Sequence, residues 1–202
     1  MTRHLRPALV LVALFTILTG IALPLGFVGV ATAMLPGLAG GSLIERDGHV
    51  VGSALLGQSF TQDKYFQGRP SATTMQDPAH PDDSTKTVPA PYNAANSSAS
   101  NAGPTSKALV DRVTADLRTA GATPAAPVPG DMLTTSASGL DPDISPATAA
   151  RQVARVAAAR HLPPEQVQAA LAAHTSGRLL GVIGEPRVNV LATNLALDTA
   201  QP

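Results

Sequence analysis

Hydrophobic and polar positions divide this chain very unevenly. Residues 7–34 form one long apolar run, and no Asp, Glu, Lys or Arg occurs between Arg6 and Glu45. A helix over residues 8–30 would rise about 34 Å, at about 1.5 Å per residue, enough to cross the hydrocarbon core of a bilayer. Two rival readings exist. A cleaved signal peptide shares the basic start, and Ala31–Thr32–Ala33 has the small residues of a cleavage site, but a signal core spans only about 7–15 residues. A buried core helix in water would be weakened by Gly20 and Pro24, which are tolerated in membrane-spanning helices.

Beyond the run the pattern changes several times. Strand-like residues 42–46 and 49–55 flank Asp47–Gly48, a pair suited to a two-residue hairpin because both positions take positive φ. Residues 57–106 show no period and carry Pro70, Pro78, Pro81, Pro89, Pro91 and Pro104, which break any long element. Within them, residues 75–91 are expected to be a mobile loop. Leu109, Val113 and Leu117 recur four apart and predict a helix over 105–119. Residues 121–130 form a Pro/Ala connector, 131–136 a short strand and 138–143 turns. Ser145–Pro146 sets a hydroxyl at the N-cap and Pro at the first helical position, opening a helix that runs to about Arg160. His161–Leu162–Pro163–Pro164 interrupts it before a second helix that ends near Gly177. Residues 179–183 are a short apolar run, and 188–197 read as strand, helix or both in turn.

Charge then sets an orientation. Arg3, Arg6 and the amino terminus precede the run, and a positive flank stays in the cytoplasm, so the C-terminal bulk is expected outside. The expected organisation is a cytoplasmic segment at 1–6, a transmembrane helix at 7–34 and one extracytoplasmic domain at 35–202. The fold class is α+β: one N-terminal transmembrane helix followed by a mixed domain of about 165 residues. With no Trp, two Tyr and four Phe, the core must be largely aliphatic. Lys+Arg and Asp+Glu are 14 each, a balance that leaves no electrostatic footprint for nucleic acid or an anionic membrane surface. The absence of Cys excludes disulfides and thiolate chemistry.

Candidate chemistry is sparse. The sequence has no Gly-x-x-x-x-Gly-Lys-Ser/Thr loop, no Gly-x-Gly-x-x-Gly after a strand and no Gly-x-Ser-x-Gly. His4, His49, His80, His161 and His174 are scattered, none four residues from another, so no helical zinc pair exists. Asp141 and Asp143 have oxygen ligands for a hard cation, but a turn that caps the following helix accounts for them better. His80–Pro81–Asp82–Asp83 reads as a solvated loop. The helix pair around residues 161–164 imitates a helix-turn-helix, against which balanced charge and an external address both weigh. Gln152 is the more telling residue. It lies mid-helix at the edge of the apolar face, with Arg151 beside it and Arg155 about one turn on. Gln with Arg can read a partner's carbonyls or a phosphate; the plainer reading is an exposed helix surface built of ordinary helix formers.

Taken together, these stretches resemble the C subunit of the Kdp-type ATP-driven potassium pump along nearly the full length. The matching residues are Leu5–Arg6–Pro7–Ala8, Gly41–Ser42–Leu43–Ile44, Gly52–Ser53–Ala54–Leu55–Leu56–Gly57–Gln58–Ser59–Phe60 and Tyr65–Phe66–Gln67–Gly68–Arg69–Pro70–Ser71–Ala72. Further on come Ser136–Ala137–Ser138–Gly139–Leu140–Asp141–Pro142, Ile144–Ser145–Pro146, Gln152–Val153 and Arg155–Val156–Ala157. The end carries Ile183–Gly184–Glu185–Pro186–Arg187–Val188–Asn189–Val190–Leu191 and Asn194–Leu195–Ala196–Leu197–Asp198. Two departures stand out. Tyr92–Asn93 leads into an Ala/Ser/Asn run where the family has glycines, and Thr193 replaces the family's Leu, with looser packing of the last segment expected.

The resemblance implies a non-catalytic subunit beside a channel-like potassium-translocating subunit, a P-type ATPase subunit and a small single-span subunit. It also implies a catalytic chaperone that raises the ATP affinity of the ATPase subunit. By resemblance, Gln152 and Arg155 are the nucleotide or partner residues, ATP is the one ligand implied, and no cofactor or metal is expected to be held tightly. An outward domain cannot reach cytoplasmic ATP, so the charge rule favours indirect coupling. On that view the partner-contact loops are 57–72 and 136–146, with Gln58, Tyr65, Arg69, Ser71, Ser138 and Asp141. The alternatives are a membrane-anchored or secreted hydrolase and a stand-alone external binding module.

Overall fold

The computed structural model describes residues 2–199, with Thr2 through its backbone alone; the expected cytoplasmic start at residue 1 and the domain's end at 200–202 lie outside the described residues. The chain separates into two compact units, which divide between Ser53 and Ala54.

The first unit opens with a helix over Leu5–Met34, 30 residues long and buried nowhere along its apolar length. It consists of α1 (Leu5–Ile17), a π-helical turn (Leu18–Ala22) and α2 (Leu23–Met34). The π turn sits where Pro24 demands it. Proline has no amide hydrogen and its ring clashes with the carbonyl four residues back, here that of Gly20. Widening the turn lets the Leu23 amide bond the Leu18 carbonyl instead. A short α3 (Pro36–Ala39) follows, then β1 (Leu43–Arg46) and β2 (His49–Ser53), paired antiparallel. Asp47 and Gly48 take φ of 53° and 75°, the two left-handed positions of the predicted hairpin turn.

The second unit has more irregular backbone. β3 (Thr74–Gln76) pairs antiparallel with β4 (Thr87–Pro89), a hairpin in the span where the sequence shows no period. The helix α4 (Lys107–Thr119) forms close to its predicted limits. The strand predicted over 131–136 does not form. A 3-10 turn at Gly130–Met132 replaces it, because the Leu133 and Thr134 amides both fold back on the Gly130 carbonyl. After β5 (Asp143–Ile144) come α5 (Pro146–Arg160), α6 (Pro164–Ala173), β6 (Thr175–Ser176), β7 (Arg187–Asn189) and α7 (Val190–Thr199). The last segment is thus strand and then helix. The three short strands form an antiparallel sheet in the order β5-β7-β6.

The core lies where α5, α6 and α7 meet this sheet. Ala149, Val153, Val156 and Ala157 of α5 pack with Val167 and Leu171 of α6, Leu197 of α7, Ile144 and Val188 of the strands, and Phe66. Ser145 caps α5 by accepting the Thr148 amide, as its hydroxyl and the following proline predicted. The helix stops at His161, which takes φ 57°, while the Leu162 amide closes on Ala157. Thr193 is fully buried and its hydroxyl donates to the Asn189 carbonyl at 2.7 Å. The expected loosening at that position is absent, because the carbonyl of Asn189, the β7 residue that leads into α7, satisfies the hydroxyl.

Candidate functional site

The segment from Asp63 to Thr73 threads past α5 and α7, and two side-chain amides grip it. Gln152 of α5 accepts from the Gln67 amide at 2.9 Å and donates back to the Gln67 carbonyl at 3.0 Å. Asn194 of α7 does the same to Phe66, at 2.8 and 2.9 Å. Each carboxamide therefore pairs with the backbone as a neighbouring strand would, satisfying a donor and an acceptor that no sheet reaches. Phe66, fully buried, pins the segment to the core. Gln152 faces inward because it lies one turn from both Thr148 and Val156, which are buried beside it.

Gln152 is only 6% exposed, so the plain reading of an exposed helix surface fails. Its polar ends do read carbonyl and amide groups, but those of the chain's own loop. Arg155 extends the grip. It donates to the Asp63 carbonyl at 2.6 Å, to the Tyr65 carbonyl at 3.1 Å and to Gln152 Oε1 at 2.7 Å. Burial pulls its guanidinium below the usual value, opposed by the Asp63 carboxylate. Tyr65 packs at 5.2 Å on Phe60, lies under Lys64 and Arg160, and reaches Asp198 through its hydroxyl at 3.3 Å.

A second knot holds Arg69, Ser71, Ser138 and Asp141. Arg69 pairs with Asp141 at 2.9 Å, and Ser71 donates to the Gly139 carbonyl at 2.8 Å while accepting the Tyr92 amide. The Ser138 carbonyl takes the Ser98 amide, and its hydroxyl takes that of Leu140. At the centre stands Tyr92, at φ 61°, an uncommon conformation for an aromatic residue. Its ring fills the space over Gly57 and Gly68, where any Cβ would collide with it, and its hydroxyl donates to the Arg69 carbonyl at 2.7 Å. Burial, with Asp141 nearby, pushes the Tyr92 phenol up to about 12, so it stays protonated as a donor at neutral pH. Side-chain amides tie down the start of the Ala/Ser/Asn run. Asn93 and Asn96 both donate to the Thr74 carbonyl. Gln58 is half-buried.

Two cavities adjoin these knots. One of about 770 Å³ is lined by Arg69, Arg112, Arg151, Gln152 and Arg155. The other, of about 380 Å³, is lined by Arg69, Asp141, Asp143, Glu185 and Arg187. Burial raises the Asp143 carboxyl, with Arg187 opposing. Among the described residues no group of three His, Asp or Glu could hold a metal. The sequence pointed to Gln152 and Arg155 but missed Asn194 and Tyr92 as structural centres. Their signals were modest: an Asn inside an apolar helical run, and a lone Tyr among small residues.

The class of protein these features define is a small α+β domain, its polar groups fixed against its own backbone, on a chain that carries a helix long and apolar enough to cross a membrane. The chain belongs to the KdpC family, described as the c chain of the K+-transporting ATPase, whose model matches residues 5–199. It is an accessory subunit and not the catalytic one. A potassium-transporting ATPase KdpC subunit of Methylobacterium nodulans is 62% identical over 98% of both chains. That of Bradyrhizobium diazoefficiens is 60% identical over 99% of this chain and 98% of its own. That of Rhodopseudomonas palustris strain BisB18 is 58% identical over the whole of both.

Proposed function

We propose that this chain stabilises a high-affinity ATP-driven potassium uptake pump and acts as a catalytic chaperone that raises the ATP affinity of its P-type ATPase subunit. The domain stands outside the membrane with the amino terminus in the cytoplasm, and the coupling is indirect. The loops 57–72 and 136–146 brace the outer mouth of the channel-like subunit. An effect on ATP then requires the domain to bind two pump states unequally. The observation that carries this reading is the occupation of Gln152 and Arg155. Both are engaged in holding residues 63–67 of their own chain, so they set the shape of the contact loop.

A second reading, direct contact with nucleotide, is favoured by the four arginines and Gln152 around the larger cavity, since guanidinium groups suit phosphate. One comparison separates the two: ATP titration of the assembled pump carrying wild-type chain, Gln152→Ala or Asn194→Ala. Indirect coupling predicts that both variants weaken ATP dependence, each in proportion to the domain stability it loses, so Asn194→Ala at least as much as Gln152→Ala. A change confined to Gln152→Ala would favour direct contact, and identical titrations with and without the chain would refute the chaperone role.

A further inference from the structure

The connection between β6 and β7 carries the most exposed apolar group of the domain. Leu179, Leu180, Val182 and Ile183 are 67%, 84%, 75% and 59% exposed, and every residue from 175 to 187 lies at the surface. Single exposed aliphatics are ordinary, whereas four on one turn are not. The turn is also closed by its own backbone hydrogen bonds. Leu179 and Ile183 exchange two backbone hydrogen bonds, at 2.9 and 3.0 Å, and the Gly181 and Val182 amides bond back to Arg178 and Leu179. Leu180 adopts φ 54°, with Gly181 and Gly184 also left-handed, a strained conformation for a branched residue. At the base, Arg178 Nη2 donates to both carboxylate oxygens of Glu185, at 2.9 and 2.7 Å, and the ladder pair Ser176–Arg187 fixes both strands. The tip is therefore a preformed, uncharged aliphatic knob whose amides at 179 and 181–183 are already satisfied.

We infer that this knob seats in an apolar recess on another subunit of the potassium-transporting ATPase. The inference rests on the proposed role as an assembly subunit. Three observations favour protein over lipid. The tip has no Trp, Tyr or Lys of the kind that anchors at a headgroup layer. The base charges are all paired, Arg178 with Glu185 and Arg187 with Asp143, so no free cation draws the knob to anionic lipid. A locked turn lowers the ordering cost of docking in a shaped recess, an advantage that fluid lipid does not need. Membership of a multisubunit ATPase family supplies the partner.

The test uses the full-length chain. L180S/V182S changes only side chains in solvent, so the thermal midpoint of the purified chain should hold. Its affinity for the remaining pump subunits in detergent should fall by roughly 30-fold or more, as for loss of a central contact. Unchanged affinity would overturn the inference while leaving the assembly role standing. Wild-type chain that fails to associate at all would sink the assembly role itself. Because the sequence has no Cys, V182C accepts a single environment-sensitive fluorophore. Its emission should shift to the blue when the other subunits are added. A blue shift of the labelled chain alone in vesicles of phosphatidylglycerol and phosphatidylethanolamine would assign the knob to lipid instead.

Discussion

Single residues fix the shape of the long loop. Gln152 and Asn194 replace a missing strand for two consecutive residues, Gln67 and Phe66. Truncating Asn194 orphans an amide and a carbonyl that are both buried, at about 1–3 kcal/mol for each group. Asn194→Ala should therefore lower stability by about 2–5 kcal/mol, read from urea unfolding of the chain. Gln152→Ala should cost less, about 1–3 kcal/mol, because Gln67 retains some access to water. The two losses should not add, since each loosens the residue that its neighbour holds. Strict additivity would mean that the clamps act independently.

Among the elements, α5 matters most, because it brings Gln152, Arg155 and Arg160 to one segment of loop. Its start depends on Asp131, which accepts from the Ser145 amide and from the hydroxyls of Ser145 and Thr148. Burial alone would raise this carboxyl, but the hydrogen bonds of Thr148 and Ser145 outweigh it and the net shift is downward. A depressed carboxyl stabilises the fold above its ordinary value of 3.8, and that stabilisation is lost as pH falls through the folded-state value. Asp131→Asn should accordingly flatten the acid limb of a stability–pH profile relative to wild type. Asp143 has the opposite sign: its carboxyl is raised, so its stabilising contribution is full in acid and fades as pH rises through the folded value. Ser145→Ala should cost about 1 kcal/mol at neutral pH through the lost cap. An unaltered urea midpoint would show that Asp131 holds the helix start alone.

At the level of the molecule, the helix over Leu5–Met34 is uncharged after Arg6, and the basic flank before it is the ground for the proposed placement of the domain outside. Protease added to the outer face of intact spheroplasts should degrade the domain and spare the apolar helix. Protection of the domain from outside, with cleavage only after lysis, would put it in the cytoplasm and revive direct contact with ATP. Two long-range pairs shape the loop of the second unit. The Gln67–Gln152 and Phe66–Asn194 pairs span 85 and 128 residues, so the loop around residues 66 and 67 cannot take its shape until both α5 and α7 have docked. Any variant that weakens α7 should weaken the loop as well.

By itself the sequence determined the features that depend on near neighbours. The apolar helix follows from an uninterrupted run, the β1–β2 turn from Asp47–Gly48, and the start of α5 from Ser145–Pro146, because each rests on local sterics or local hydrogen bonds. Family membership was legible for a related reason, since ordered motifs survive in the chain whatever their contacts. Tertiary structure alone decided the rest. The β3–β4 hairpin has strands too short to show a period, and residues 131–136 curl because their amides find Gly130. Gln152 reads in the sequence as a surface residue and becomes a clamp only when Gln67 arrives from far along the chain. Backbone groups outside regular structure must still be paired, and which side chain pairs them is fixed by packing, not by spacing.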